Sequence, residues 1–184
     1  MTNLSKLKIV PGAFLLLDRD GVINRNLPND YVKTWDEFEF LPRVPEAIAR
    51  LRKIFKRILV FSNQQGVGKG LMRSADVVRI HERMTRELAT HGAIIDHIYF
   101  CPHLESEQCE CRKPRQGMIK LAQANFPDFR AEHAVMVGDK QIDMQFGQIA
   151  GAQTVMIGNV TLHAKTTFRV VPSLIDLCDI IDLS

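Results

Sequence analysis

Apolar residues in this chain gather into short, nearly unbroken runs, separated by stretches in which they recur every three or four positions. Ala13–Leu17, Ile58–Phe61, Val135–Val137 and Thr154–Ile157 carry continuous rather than alternating hydrophobicity, the pattern of strands buried on both faces. His97–Phe100 is a weaker strand candidate. The periodic stretches predict helices. Pro45–Phe55 opens with Pro at an early helical position and repeats apolar residues at Ala47, Ile48, Leu51, Ile54 and Phe55. Ser74 can cap a helix that carries Val77, Val78, Met84 and Leu88 and stops at Gly92. Met118–Ala124 and Ile142–Ala150 follow, the latter ended by Gly151, and a last helix starts after Pro172 with Ser173 as its cap. Strands alternating with helices argue for an α/β fold with a parallel sheet covered on both faces. Neither repeat nor linker interrupts the pattern, so a single domain over residues 1–184 is expected.

In such sheets ligands bind at the carboxyl ends of the strands, where strand order reverses. Residues with chemical capability should therefore stand just after the apolar runs. Asp18-Arg19-Asp20-Gly21 directly follows Ala13–Leu17. Residues two apart on a strand point to the same side, so both carboxylates can reach one site, and Gly21 frees the backbone to turn. Clustered carboxylates repel unless a cation compensates, which implies Mg²⁺, an ion that prefers oxygen ligands. Alone, the motif reads equally well as a polar strand-end turn. Ser62-Asn63-Gln64 follows Ile58–Phe61 and offers a hydroxyl and backbone N–H groups suited to phosphate oxygens. Arg112-Lys113-Pro114 supplies two cations. After Val135–Val137 come Asp139 and Asp143, four apart and hence on one helical face, with Lys140 between them.

Composition narrows the class. With 46% hydrophobic and 24% charged residues in 184, this is the profile of a soluble globular protein. A net charge of +3, with Lys and Arg scattered, gives no ground for a nucleic-acid partner. The longest apolar run near the N-terminus is five residues, Ala13 to Leu17, far short of a membrane span or a signal segment. A cytoplasmic monomer with no membrane partner is expected. The four cysteines add something more specific, because Cys101, Cys109 and Cys111 fall within eleven residues together with His103. Three thiolates and an imidazole fill a tetrahedral Zn²⁺ site with no open position, so a structural role is expected. Cys178 stands alone in an apolar helical pattern and reads as a small buried hydrophobe.

The order of the four motifs, from about Phe14 to Ile157, resembles the haloacid dehalogenase-like superfamily. The resemblance implies a Rossmann-like doubly wound sheet and a Mg²⁺-dependent phosphatase working through an aspartyl-phosphate. On it, Asp18 is the nucleophile and a metal ligand. Asp20 is the general acid and base and offers the metal its backbone carbonyl. Ser62 and Lys113 hold the phosphoryl group, Asp139 is a metal ligand, and Asp143 and Lys140 give support. Asn63, Lys69 and Arg112 are the expected substrate contacts. With no sizeable insertion after the first or second motif, no cap domain is expected. Cys101-Pro102-His103 and Cys109-Glu110-Cys111-Arg112-Lys113-Pro114 narrow the resemblance to the zinc-containing branch that holds heptose 1,7-bisphosphate and histidinol-phosphate phosphatases. Asp30-Tyr31-Val32, Phe38-Glu39-Phe40 and Gly117-Met118 point to a heptose bisphosphate, whereas the five-residue spacer from His103 to Cys109 is closer to the histidinol enzymes.

A rival from another class is a catalytically inactive, zinc-stapled binding module. Paired carboxylates at a strand end argue against it, since they would repel a nucleic-acid backbone. Gly66-Val67-Gly68-Lys69-Gly70 invites a P-loop reading but fails the template, with Asn63 where the first Gly belongs and Gly70 where Ser or Thr is needed. A flexible loop beside the site is expected there. His81, His91, His97, His133 and His163 show no partnering spacing and are expected to be ordinary surface or core residues.

Overall fold

Strand β1 (Leu7–Ile9) opens a computed structural model that describes residues 6–159 and 167–183. It is followed by β2 (Phe14–Leu17), α1 (Val44–Leu51), β3 (Arg57–Asn63), α2 (Ser74–Thr90), β4 (His97–Cys101) and α3 (Gly117–Asn125). Then come β5 (Val135–Gly138), α4 (Gln141–Ala150), β6 (Gln153–Ile157), β7 (Arg169–Val171), α5 (Leu174–Ile180) and β8 (Ile181–Leu183). Six strands form one parallel sheet in the order β4-β3-β2-β5-β6-β7, while β1 and β8 pair in parallel as a separate ribbon. The chain moves outward from β2 through β3 to β4, then returns and moves the other way from β5. The order therefore reverses between β2 and β5, and a crevice opens at their carboxyl ends.

Continuous hydrophobicity in the strands serves two cores at once. Successive β2 side chains point to opposite faces. Leu15 and Leu17 join Ile48 and Leu51 of α1, Met84 of α2 and Leu177 of α5 on one side. Phe14 and Leu16 join Met118 of α3 and Phe146 of α4 on the other. Shutting a side chain such as Leu16 fully away from water stabilises the fold by about 2 kcal/mol.

The helix predicted over Pro45–Phe55 ends at Leu51, and a turn carries the chain on. There Arg52 donates to the carbonyls of Phe55 and Lys56, and the Lys56 N–H donates to Ala13 beside the sheet. Ser74 is the first residue of α2 rather than its cap. The acceptor is Asp76, whose carboxylate takes the Arg73 N–H at 2.8 Å. Strands β1, β7 and β8 leave no apolar run, because each is three residues long and one of the three is charged: Lys8, Arg169 and Asp182. Between β2 and α1, and between β3 and α2, the described chain runs in turns with one short 3₁₀ segment at Trp35–Glu37. No sizeable cap domain stands among the described residues.

Candidate active site

Each strand end at the crevice delivers one group. Asp18 follows β2, and its N–H donates to the Val137 carbonyl at 2.9 Å, which ties the ends of β2 and β5 together. Gly21 then turns the chain at φ 92°, and a Cβ there would run into the Asp139 carboxylate, so only glycine lets the first loop and the β5 loop approach this closely. Lys113 reaches the same point from the loop after β4. Its Nζ donates to Asp18 Oδ1 at 2.8 Å, to Asp143 Oδ1 at 2.5 Å and to the Phe61 carbonyl at 2.8 Å. Asp18, Lys113 and Asp143 are all buried. Burial works against charge on Lys113, yet the Asp18 and Asp143 carboxylates outweigh it and hold the ammonium above its ordinary range. Burial also pushes Asp18 up to about 7, with Lys113 pulling the other way, and raises Asp139 to about 6.

Oxygens of Asp18, Asp139 and Asp143 lie within 4.8 Å of one another. Asp139 Oδ1 is buried with no hydrogen-bond partner, a costly state for a carboxylate oxygen unless something else satisfies it. Three clustered carboxylates, one of them with a buried oxygen left unpaired, fit a hard divalent cation. Asp143 also takes the Lys140 N–H at 3.2 Å, while the Lys140 ammonium stays exposed, 3.9 Å from Asp139.

Asp20, two residues on, faces a different set of partners. Its carboxylate accepts from Arg19 at 2.8 and 2.9 Å, from Asn24 Nδ2 at 2.9 Å and from Gln64 Nε2 at 2.8 Å. Burial opposes its charge, but the Arg19 guanidinium and these hydrogen bonds prevail and hold Asp20 below the usual carboxylate range. Its side chain is therefore taken up away from the oxygen cluster. Gln64 also donates to Ser62 Oγ at 2.7 Å, which fixes the hydroxyl beside the nucleophile's strand.

A second cluster lies in the loop between β4 and α3. One ligand atom each from Cys101, His103, Cys109 and Cys111 falls within 4.8 Å of the others. The Cys101 and Cys109 sulfurs are 3.4 Å apart, Cys109 and Cys111 3.5 Å, and His103 Nδ1 lies 3.2 Å from Cys111. Such edges match a tetrahedron around a soft cation with metal–sulfur bonds of about 2.3 Å. Burial pushes the Cys101 thiol up; at Cys109 the neighbouring thiols and the Arg112 N–H overcome burial and bring it down to about 7.

Residues 66–71 do not hang loose beside this loop. They form hydrogen-bonded turns, and the Gly68 N–H donates to the Pro102 carbonyl at 2.8 Å. A Cβ at Gly68 would meet the Leu104 nitrogen at 2.9 Å, so glycine permits the contact. Lys69 sits 5.2 Å above the Tyr31 ring.

A cavity of about 670 Å³ joins these parts, lined by Asp18, Ser62, Lys69, Arg112 and Lys113 together with the loop from Asn26 to Val32. Arg112 Nη1 is buried and unpartnered. Asn63 also lines the cavity, but its amide is engaged on both sides by Lys113, accepting from the N–H at 3.0 Å and donating to the carbonyl at 3.3 Å. Sequence reasoning gives no role to Arg19, Asn24 or Gln64, although Arg19 stands inside the Asp18-Arg19-Asp20 motif and Asn24 follows it closely, the one signal available. Of the histidines, His91, His97 and His133 are exposed, His163 lies outside the described residues, and His81 is buried. No helix among the described residues is long and apolar enough to cross a membrane.

Comparison with known proteins agrees with this geometry. A family model described as HAD-hydrolase-like matches residues 110–177. A D-glycero-α-D-manno-heptose-1,7-bisphosphate 7-phosphatase of Mycobacterium tuberculosis is 43% identical over 138 residues, 75% of this chain and 73% of the relative. The β-anomer 7-phosphatase of Pseudomonas putida is 37% identical over 143 residues, 78% and 81% of the two chains. The crystal structure of a D,D-heptose 1,7-bisphosphate phosphatase from B. bronchiseptica, complexed with magnesium and phosphate, superposes with a TM-score of 0.80 at 31% identity, covering 91% of this chain and 96% of that one.

Proposed function

This chain belongs to the haloacid dehalogenase-like superfamily and is a phosphatase of that family, and from that premise we propose that it hydrolyses the 7-phosphate of a heptose 1,7-bisphosphate. The observation that carries the chemistry is the buried Lys113 ammonium shared between Asp18 and Asp143 beside the orphaned Asp139 oxygen. Asp18 attacks phosphorus and forms an aspartyl-phosphate, which splits one hard displacement into two easier ones. Asp20, ionised in the free protein, takes up a proton when the phosphate dianion arrives beside it, because a like charge disfavours its carboxylate. It gives that proton to the departing sugar oxygen, then takes one from the water that cleaves the intermediate. Lys113 and the Ser62 hydroxyl hold the transferred phosphoryl oxygens in line. Asp18, Asp139 and Asp143 would hold Mg²⁺, with the Asp20 backbone carbonyl as a further oxygen, and the ion would neutralise charge on the phosphoryl oxygens.

Arg112, with a buried N–H group awaiting an acceptor, and Lys69 at the cavity rim suit the second phosphate and the hydroxyls of the sugar. Cys101, His103, Cys109 and Cys111 would hold Zn²⁺ as a closed structural site that sets the loop presenting Arg112 and Lys113. A cytoplasmic setting suits four free thiols.

A phosphate-release assay on heptose 1,7-bisphosphate, hexose bisphosphates and histidinol phosphate, with Mg²⁺ and with chelator, tests this reading. Mg²⁺-dependent preference for the heptose is expected. Preference for histidinol phosphate would replace the substrate. Binding of all three with no release would favour the inactive module instead.

A further inference from the structure

Arg19 is the largest fully buried side chain among the described residues, and nothing in the reaction just outlined uses it. Its guanidinium lies against Asp20, with Nη2 bonding both carboxylate oxygens and Nε reaching Oδ1 at 3.3 Å. The opposite edge, Nη1, meets His81 Nε2 at 3.2 Å. An arginine can only donate, so Nε2 accepts, and the imidazole is neutral with its proton on Nδ1. Burial, reinforced by the Arg19 charge, pushes His81 down to about 3, which keeps it in that form. His81 stands on the buried stripe of α2 with Val77, Ile80, Met84 and Leu88, and the Phe100 ring of β4 packs edge-on against it at 5.6 Å.

This relay spans 62 positions and ends on a carboxylate whose terminal torsion is intrinsically soft. We propose that Arg19 and His81 are positioning residues for proton transfer: His81 fixes the rotation of the Arg19 guanidinium, and Arg19 holds the Asp20 carboxylate where it meets the leaving oxygen. The proposal rests on the reading of Asp20 as the proton donor. In that step the bond from Asp18 to phosphorus forms and the phosphorus–sugar oxygen bond breaks. Its electron pair stays on the sugar oxygen, which takes the Asp20 proton. Without an acceptor at position 81, Nη1 becomes a buried donor lacking a partner, and the guanidinium swings to recover one. Asp20 loses its alignment while Asp18, Lys113 and Asp143 keep theirs, since none of them bonds to Arg19 or His81.

The discriminating measurement is kcat/KM on two substrates with opposite needs for a proton. Heptose 1,7-bisphosphate expels a sugar alkoxide and needs one, whereas 2,4-dinitrophenyl phosphate expels a stable phenolate and does not. His81→Leu should lose about tenfold or more on the sugar phosphate and less than about twofold on the aryl phosphate, and His81→Gln, which restores an acceptor, should recover most of the loss. Both substrates are assayed on one preparation, so a partly unfolded sample lowers both rates alike and leaves their ratio unchanged. Equal losses on the two substrates, or no loss on the sugar phosphate, would overturn the positioning role. Asp20→Asn run alongside separates this from its premise. If that variant is itself unselective, the proton-donor reading fails. If it is selective and His81→Leu is not, only the positioning proposal falls. Wild-type protein inert on both esters would instead sink the phosphatase reading.

Discussion

Asp18 and Asp139 follow the ends of two strands far apart in the chain and Asp143 stands in the first turn of α4, whereas Cys101, His103, Cys109 and Cys111 fall within one segment of eleven residues. The carboxylates converge only because β2 and β5 are neighbours in the sheet, and three acids so close would repel one another without Lys113. The thiol cluster takes only Cys101 from the sheet, at the end of β4, and its other three ligands from the loop that follows. The first site is thus a product of the fold, while the second shapes its own segment of the fold. The two meet at Lys113, two residues beyond Cys111 and clipped to β3 by Asn63. Damage to the first site should therefore read out as lost chemistry and damage to the second as lost stability.

The largest effect should come from Asp18→Asn. An amide is a poor nucleophile, so turnover should fall by at least about a thousandfold. The fold should stay intact, because the amide retains the shape and can still accept from Lys113. Steady-state kinetics with a thermal melt would check both halves. Turnover near wild type in a clean preparation would end the aspartyl-phosphate assignment.

Cys109→Ser should do the reverse. Removing one ligand from a closed site withdraws binding energy that is also folding energy, on the order of several kcal/mol. The melting temperature should drop by several degrees, and zinc measured by elemental analysis should fall from about one per chain. Activity should decline only as Arg112 and Lys113 lose their placement. Mg²⁺ removal by a weak chelator should show the mirror image, with activity lost reversibly and little change in melting. A zinc-free preparation with full activity and normal melting would break the comparison outright.

These contrasts also explain what was legible in the sequence. Strands buried on both faces leave continuous apolar runs, so β2, β3, β5 and β6 could be read, and with them the residues at their ends. The thiol cluster could be read because its ligands are adjacent. His81 could not, since its partner Arg19 is far away in sequence and only the packing of α2 beside the first strand end joins them. The available signal was a histidine on the apolar stripe of a helix, between Val77 and Met84, which more often marks an ordinary core residue. Asn63 is among the substrate contacts that the resemblance implies. No local pattern shows that Lys113's backbone reaches its amide from 50 residues on.

Acid should separate the clusters more gently. Asp18 and Asp139 titrate in the folded protein near about 7 and about 6, above the ordinary 3.8, so without metal the fold holds protons that the unfolded chain releases. Stability from these two groups is present at low pH and is lost as pH rises through about 6 to 7. Magnesium must displace those protons, so its half-saturating concentration should rise about tenfold per unit of pH between about 7 and about 6 and more steeply below, where both groups hold one. Thermal shifts measured with and without Mg²⁺ should therefore be large near about pH 8 and small near about pH 5.5. A shift independent of pH would mean that these carboxylates are not the ones that hold the ion.

The smallest expected change tests the joint between the two regions. Asn63 lines the cavity, yet both ends of its amide are spent on the Lys113 backbone. If clipping Lys113 is its task, Asn63→Ala should lower kcat by about tenfold with KM almost unchanged, because a cation displaced from the transferring group costs transition-state stabilisation rather than substrate binding. Zinc content should stay at about one per chain, since no ligand has moved. If Asn63 instead contacts the sugar, KM should rise while kcat holds. The first outcome would show that the β3 end and the thiol loop fix Lys113 jointly. The second would leave the loop's own cluster as the main anchor of that lysine, and would make Cys109→Ser the more damaging of the two variants for turnover as well as for stability.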